Sequence, residues 1–164
     1  MDTEFWMRGP VENIPALLQP VAHTLLQARA EINRLMMGFP EEQLWDRPSG
    51  VASPGFHLKH LAGVLDRLFT YAKGNLLTPE QMEYLKSEDQ EKGTLEELLD
   101  HYNAQTNLAL EQLSSTNEST LTDFRGIGRK QLPSTVQGLL FHAAEHTMRH
   151  TGQLLVTVRV LCQP

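Results

Sequence analysis

The sequence predicts an all-α fold, a four-helix bundle with long connections. Three observations lead there. Apolar residues recur at three- and four-residue steps along four long segments. Capping serines and threonines, with prolines and glycines, separate those segments. Alternating runs of β-branched residues, which mark strands, are nearly absent.

The first helix carries Leu18, Val21, Leu25, Ile32, Leu35 and Met36, and ends near Gly38, ahead of Phe39-Pro40. Pro15 and Pro20 crowd its start. Proline is tolerated in a first helical turn but not further in, so regular helix is expected from about Pro20. A loop, Phe39–Ala52, follows and contains Trp45 and Pro48. Ser53-Pro54 opens the second helix, with Phe56, Leu61, Val64, Leu65 and Leu68 as its apolar stripe, and Gly74-Asn75 closes it. Thr78-Pro79-Glu80-Gln81 has the form of a capping box and predicts a short connecting helix that Gly93-Thr94 ends. Thr94 with Glu97 opens the third long helix, whose buried side is Leu95, Leu98, Leu99, Tyr102, Leu110 and Leu113. Ser114–Lys130 reads as a long polar connection. Ser134 with Gln137 has the form of a capping box for the fourth helix. That helix runs to about Leu161 through Leu139, Leu140, Ala143, Leu154, Leu155 and Val158. The long connections leave simple up-down-up-down order unassured.

A chain of 164 residues, 40% of them apolar, suits one domain spanning 1–164 with its own core. The lone Cys162 rules out an intramolecular disulfide and fits a reducing compartment. No apolar run approaches the roughly 20 residues that span a bilayer. The opening MDTEFWMRGP lacks a basic start leading into an apolar stretch. A soluble cytoplasmic protein with no membrane partner is therefore expected. A net charge of −6 argues against nucleic acid as a partner. The one basic stretch, Arg125–Lys130, reads as a solvated loop, with contact to an anionic substrate as the alternative.

The chemistry is concentrated in histidines. His142, His146 and His150 lie in the run HAAEHTMRHTGQ. A four-residue step turns only ~40° around a helix axis, so His146 and His150 point the same way, one turn apart. They share a face with Leu139, Ala143, Leu154 and Val158, and Gln153 follows on that side. A buried neutral imidazole must satisfy two ring nitrogens, and several together are costly without a common partner. A divalent cation is such a partner. The second helix offers a third ligand in GFHLKHLAG, where periodicity leaves His57 and His60 both open. A lone pair of histidines at this spacing is a weak signal, and two inward-facing clusters in one small bundle are a stronger one. His23 and His101 read as surface or packing residues, and His142 as a supporting or surface group.

The runs SPGFHLKHLAGVLDRL and EHTMRHTGQL, with the loop LWDRPSG, resemble the DinB/YfiT-like superfamily of metalloenzymes. The resemblance implies a bundle with non-sequential helix order, often a homodimer, and a three-histidine metal site with open coordination positions. It places the second-helix ligand at His60 rather than His57, and the fourth-helix ligands at His146 and His150. It implies a metal-dependent enzyme, since members include S-transferases using bacillithiol or mycothiol and a mycothiol-dependent isomerase. The expectation is a thiol-dependent S-transferase that takes a small-molecule substrate and a low-molecular-weight thiol. A metal-dependent hydrolase of small esters or amides, and a non-enzymatic metal-binding stress protein, are the alternatives. Nickel or zinc is the expected ion.

No catalytic side chain is assigned. Glu145 lies ~100° around the helix from His146 and reads as a surface or interface carboxylate. Asp66 and Arg67 read as a surface salt bridge, with support of a ligand or contact to substrate as the alternative, and Trp45 reads as loop packing, with the pocket mouth as the alternative. Gln153 is a candidate for holding the second nitrogen of a ligand histidine.

Overall fold

Capping chemistry sets most of the helix boundaries. A computed structural model describes residues 3–162, so the extreme ends of the expected 1–164 domain lie outside the described residues. Among the described residues there are five α-helices: α1 (Gln19–Met36), α2 (Pro54–Ala72), α3 (Pro79–Ser87), α4 (Leu95–Ser115) and α5 (Val136–Leu161). A two-stranded antiparallel sheet joins β1 (Phe124–Ile127) to β2 (Leu132–Thr135).

Ser53 caps α2, its Oγ accepting the Phe56 N–H at 3.2 Å, with Pro54 in the first turn. The Thr78/Gln81 and Thr94/Glu97 capping boxes are both complete, and they start α3 and α4 where the sequence places them. Gly74, at a φ of +82°, turns the chain away from the end of α2 in a conformation that suits glycine.

Two expectations about the later chain need correction. The Ser134/Gln137 capping box does not form. Ser134 belongs to β2, and Thr135 caps α5 instead by accepting the Gly138 N–H at 3.0 Å. The Gln137 N–H is already engaged by the Leu121 carbonyl, which ties the helix start to the preceding loop. The polar connection also contains β1, which pairs with β2 just beyond Lys130. Each strand has only four residues, too few for an alternating pattern to be read. Arg125 departs from a purely solvated reading as well. Its Nε donates to the Ala72 carbonyl at 2.9 Å and satisfies a free acceptor at the end of α2.

The four long helices pack in two directions. Helix α2 lies against both α4 and α5, and α1 lies against both α5 and α4. Leu25, Ile32, Leu61, Tyr102, Leu139 and Leu154 are among the side chains buried where these faces meet. Leu155, expected on the buried face, is instead exposed. The loop after α1 is seated on α2 through Trp45. A Cβ on Gly55 would meet the Trp45 ring at 2.6 Å, so glycine is what allows that approach. The packing of α2 against α5 brings the histidines of two distant segments to one place.

Candidate metal centre

Helix α2 supplies His57 and His60, and α5 supplies His142, His146 and His150. His60, His146 and His150 each offer a ring nitrogen, and these three atoms lie within 4.8 Å of one another. Such a group can hold a metal ion. His60 Nε2 is 3.0 Å from His146 Nε2. His57 is outside this group, although its Nδ1 is 3.0 Å from His150 Nδ1.

The rings of His57, His146 and His150 are kept neutral by their surroundings. Burial, followed by repulsion from His60, pushes His57 down to about 4. The same two causes, with smaller contributions from neighbouring charges, bring His146 to about 4 and His150 to about 3. At neutral pH each of these rings therefore keeps a lone pair for donation.

Two of the three grouped rings are held from behind. The His60 Nδ1 lies 2.8 Å from Glu88 Oε2. Glu88 follows the last residue of α3, is buried, and accepts from Arg67 Nη1 at 2.5 Å. A carboxylate beside a guanidinium is an acceptor only, so the His60 Nδ1 that faces it is the donor. His57 stands behind His150 in the same way. Among the described residues His146 Nδ1 is buried with no hydrogen-bond partner.

The other residues singled out in the sequence lie outside the three-histidine group. Arg67 is buried against Glu88 rather than in a surface bridge with Asp66. Gln153 is exposed and shares a separate recess with His57 and Arg149, so it does not back a grouped histidine. Glu145 pairs with Arg149 on the outer side of α5 and lies 3.3 Å from His142 Nδ1. Trp45 packs the loop, and His101 approaches the Tyr84 hydroxyl at 3.3 Å. His23 Nε2 meets the Gly9 carbonyl at 3.0 Å. Glu88 is the residue that sequence reasoning missed. It stands in the polar run SEDQEKG, where nothing distinguishes it from its acidic neighbours.

A cleft of about 290 Å³ reaches His60 and His146. Val64, Leu68, Tyr71, Leu77 and Leu85 wall it, and His142 also lines it. The cleft leaves two of the grouped histidines accessible from outside.

Fold and site together define a small, mostly helical protein with a three-histidine cluster open to a cleft. The chain belongs to the DinB superfamily, whose family model matches residues 24–154. It is similar in fold to a conserved protein of Enterococcus faecalis, with a TM-score of 0.71 and 19% identity over 87% of this chain and 95% of that one. It is also similar to a Streptococcus pneumoniae protein, with a TM-score of 0.63 and 14% identity over 86% of this chain and 87% of that one. No curated protein matches the chain.

Proposed function

We propose that the protein is a metal-dependent enzyme, with His60, His146 and His150 holding a divalent ion between α2 and α5 of a four-helix bundle. The observation that carries this reading is the close approach of three ring nitrogens from two helices. The donor set fits such an ion. Two nitrogens each about 2.1 Å from one ion stand roughly 3 Å apart, and the His60 and His146 Nε2 atoms are separated by 3.0 Å. Imidazole nitrogen suits nickel or zinc.

When bound, a divalent ion on neutral ligands acidifies a coordinated thiol or water. The chain's own residues do the rest. Glu88 and His57 fix the rings of His60 and His150. Val64, Leu68 and Leu85 shield the cleft from water and offer a surface to the apolar part of a small molecule. Arg67, His60, Tyr71, His142 and His146 are the titratable groups of the lining. Arg67 is occupied by Glu88. Acidified thiol and acidified water both suit such a site, and thiol-dependent S-transfer is the reading preferred on the family resemblance, with hydrolysis of a small ester or amide as the alternative. The reading is completed by a homodimeric, cytoplasmic protein of one domain, 1–164. Among the described residues no helix is long and apolar enough to cross a membrane.

The test is conjugation of a low-molecular-weight thiol to an electrophile by the purified chain, with and without chelator. Chelator-sensitive activity that is lost in His146→Ala and His150→Ala supports the reading. Activity that survives both substitutions contradicts it.

A further inference from the structure

Glu88 stands out because the chain goes to some length to bury it beside a histidine. It comes from the connection between α2 and α4, where its neighbours Asp89 and Gln90 are exposed. Three side chains fasten that connection to α2. Lys59 Nζ donates to the Ser87 and Gln90 carbonyls at 2.6 and 2.9 Å. The Tyr84 hydroxyl donates to the Lys59 carbonyl at 3.0 Å. Glu88 itself bridges His60 and Arg67.

Gly63 makes the room. It lies inside α2, where glycine destabilises a helix relative to alanine. A Cβ there would overlap Glu88 Oε1, lie 2.5 Å from Arg67 Nη1 and lie 2.8 Å from the Tyr84 ring. The missing side chain is a notch that the carboxylate and the guanidinium fill together.

We propose that Glu88 is a positioning residue for the histidine centre: seated in the Gly63 notch, its carboxylate holds the proton of His60 on Nδ1 and so aims the Nε2 lone pair at the ion. The proposal rests on the metal reading above. Ligand histidines need their second nitrogen fixed, and a buried carboxylate is an effective partner. Arg67 gives the arrangement its direction. It can only donate, so it requires an oxygen on the side of Glu88 that it faces.

Glu88→Gln therefore does more than remove a charge. The amide must turn its oxygen to Arg67 and its NH2 to His60. His60 then accepts at Nδ1 and carries its proton on Nε2, which is the wrong tautomer for a ligand there. Replacing an orienting carboxylate by its amide has the same consequence in serine protease triads. Gly63→Ala reaches the same end differently, since it keeps the carboxylate, improves the helix and closes the notch.

The experiment uses the full chain labelled with 15N-histidine. Ring N–H correlations of the metal-free protein report the His60 tautomer. Competition with a chromogenic chelator reports zinc affinity, and thermal melting reports the fold. The wild-type chain is expected to show His60 protonated at Nδ1. Glu88→Gln is expected to move that proton to Nε2 and weaken zinc binding roughly 10- to 100-fold. Gly63→Ala is expected to weaken zinc binding similarly, and it decides the matter should Glu88→Gln also lower the melting temperature. A wild-type His60 protonated at Nε2, or variants with unchanged zinc affinity, would overturn the role of Glu88. A wild-type chain that takes up neither zinc nor nickel contradicts the metal reading itself, and is thereby distinguished from failure of the Glu88 proposal.

Discussion

Four imidazoles from two helices meet between α2 and α5, and burial holds three of them neutral. His57 and His146 are pushed down to about 4 and His150 to about 3, chiefly by burial. An unfolded chain takes up those protons near 6.5, and the folded chain resists them until nearer 4. Between those values the unfolded state binds more protons, so stability rises with pH. The metal-free protein is expected to be most stable above about 6.5 and to lose stability as the pH falls toward 4. Urea midpoints on either side of 6.5 check this, and a midpoint that rises on acidification contradicts it. Substitutions separate the rings by role. His146→Ala and His150→Ala are expected to abolish metal uptake. His142→Ala is expected to leave it intact, because His142 is half exposed and pairs with Glu145. Equilibrium dialysis of the three variants reads the difference.

At the scale of elements, local chemistry decides the boundaries. A threonine that caps a helix contributes about 1 kcal/mol over alanine. Thr135→Ala is expected to destabilise the chain by about that amount, whereas Ser134→Ala is expected to stay within about 0.5 kcal/mol of wild type. Chemical denaturation measures both, and the reverse order would restore the Ser134/Gln137 cap. Most helix starts were legible in the sequence because a cap is a local pattern: Ser53, Thr78 and Thr94 each act where they are read. The hairpin was not legible. Phe124–Ile127 and Leu132–Thr135 are short, with mostly partly exposed or exposed residues, and their pairing is set by a turn rather than by periodicity. The α5 cap was misplaced for the same reason, since β2 takes Ser134 before the helix begins.

For the whole molecule, the histidines on α5 were legible from helical spacing alone, because one turn of one helix relates them. The preference for His60 over His57 needed the family resemblance, since both rings lie on α2 and face the same neighbour. Glu88 was not legible at all. Its role depends on α3 folding back onto α2 and on a notch at Gly63, and neither leaves a mark on spacing. A centre built from separated segments also couples metal to folding. Zinc at a hundredfold excess over its dissociation constant is expected to add about 2.7 kcal/mol to stability, with a matching rise in Tm that chelator reverses. The metal content of the purified full chain, measured by plasma mass spectrometry beside the His60→Ala/His146→Ala/His150→Ala variant, tests the central claim most directly. The wild-type chain is predicted to carry, or to take up when supplied, a near-equimolar amount of nickel or zinc that the variant lacks. A wild-type chain that binds neither ion, or a variant that binds as well as wild type, would contradict the account.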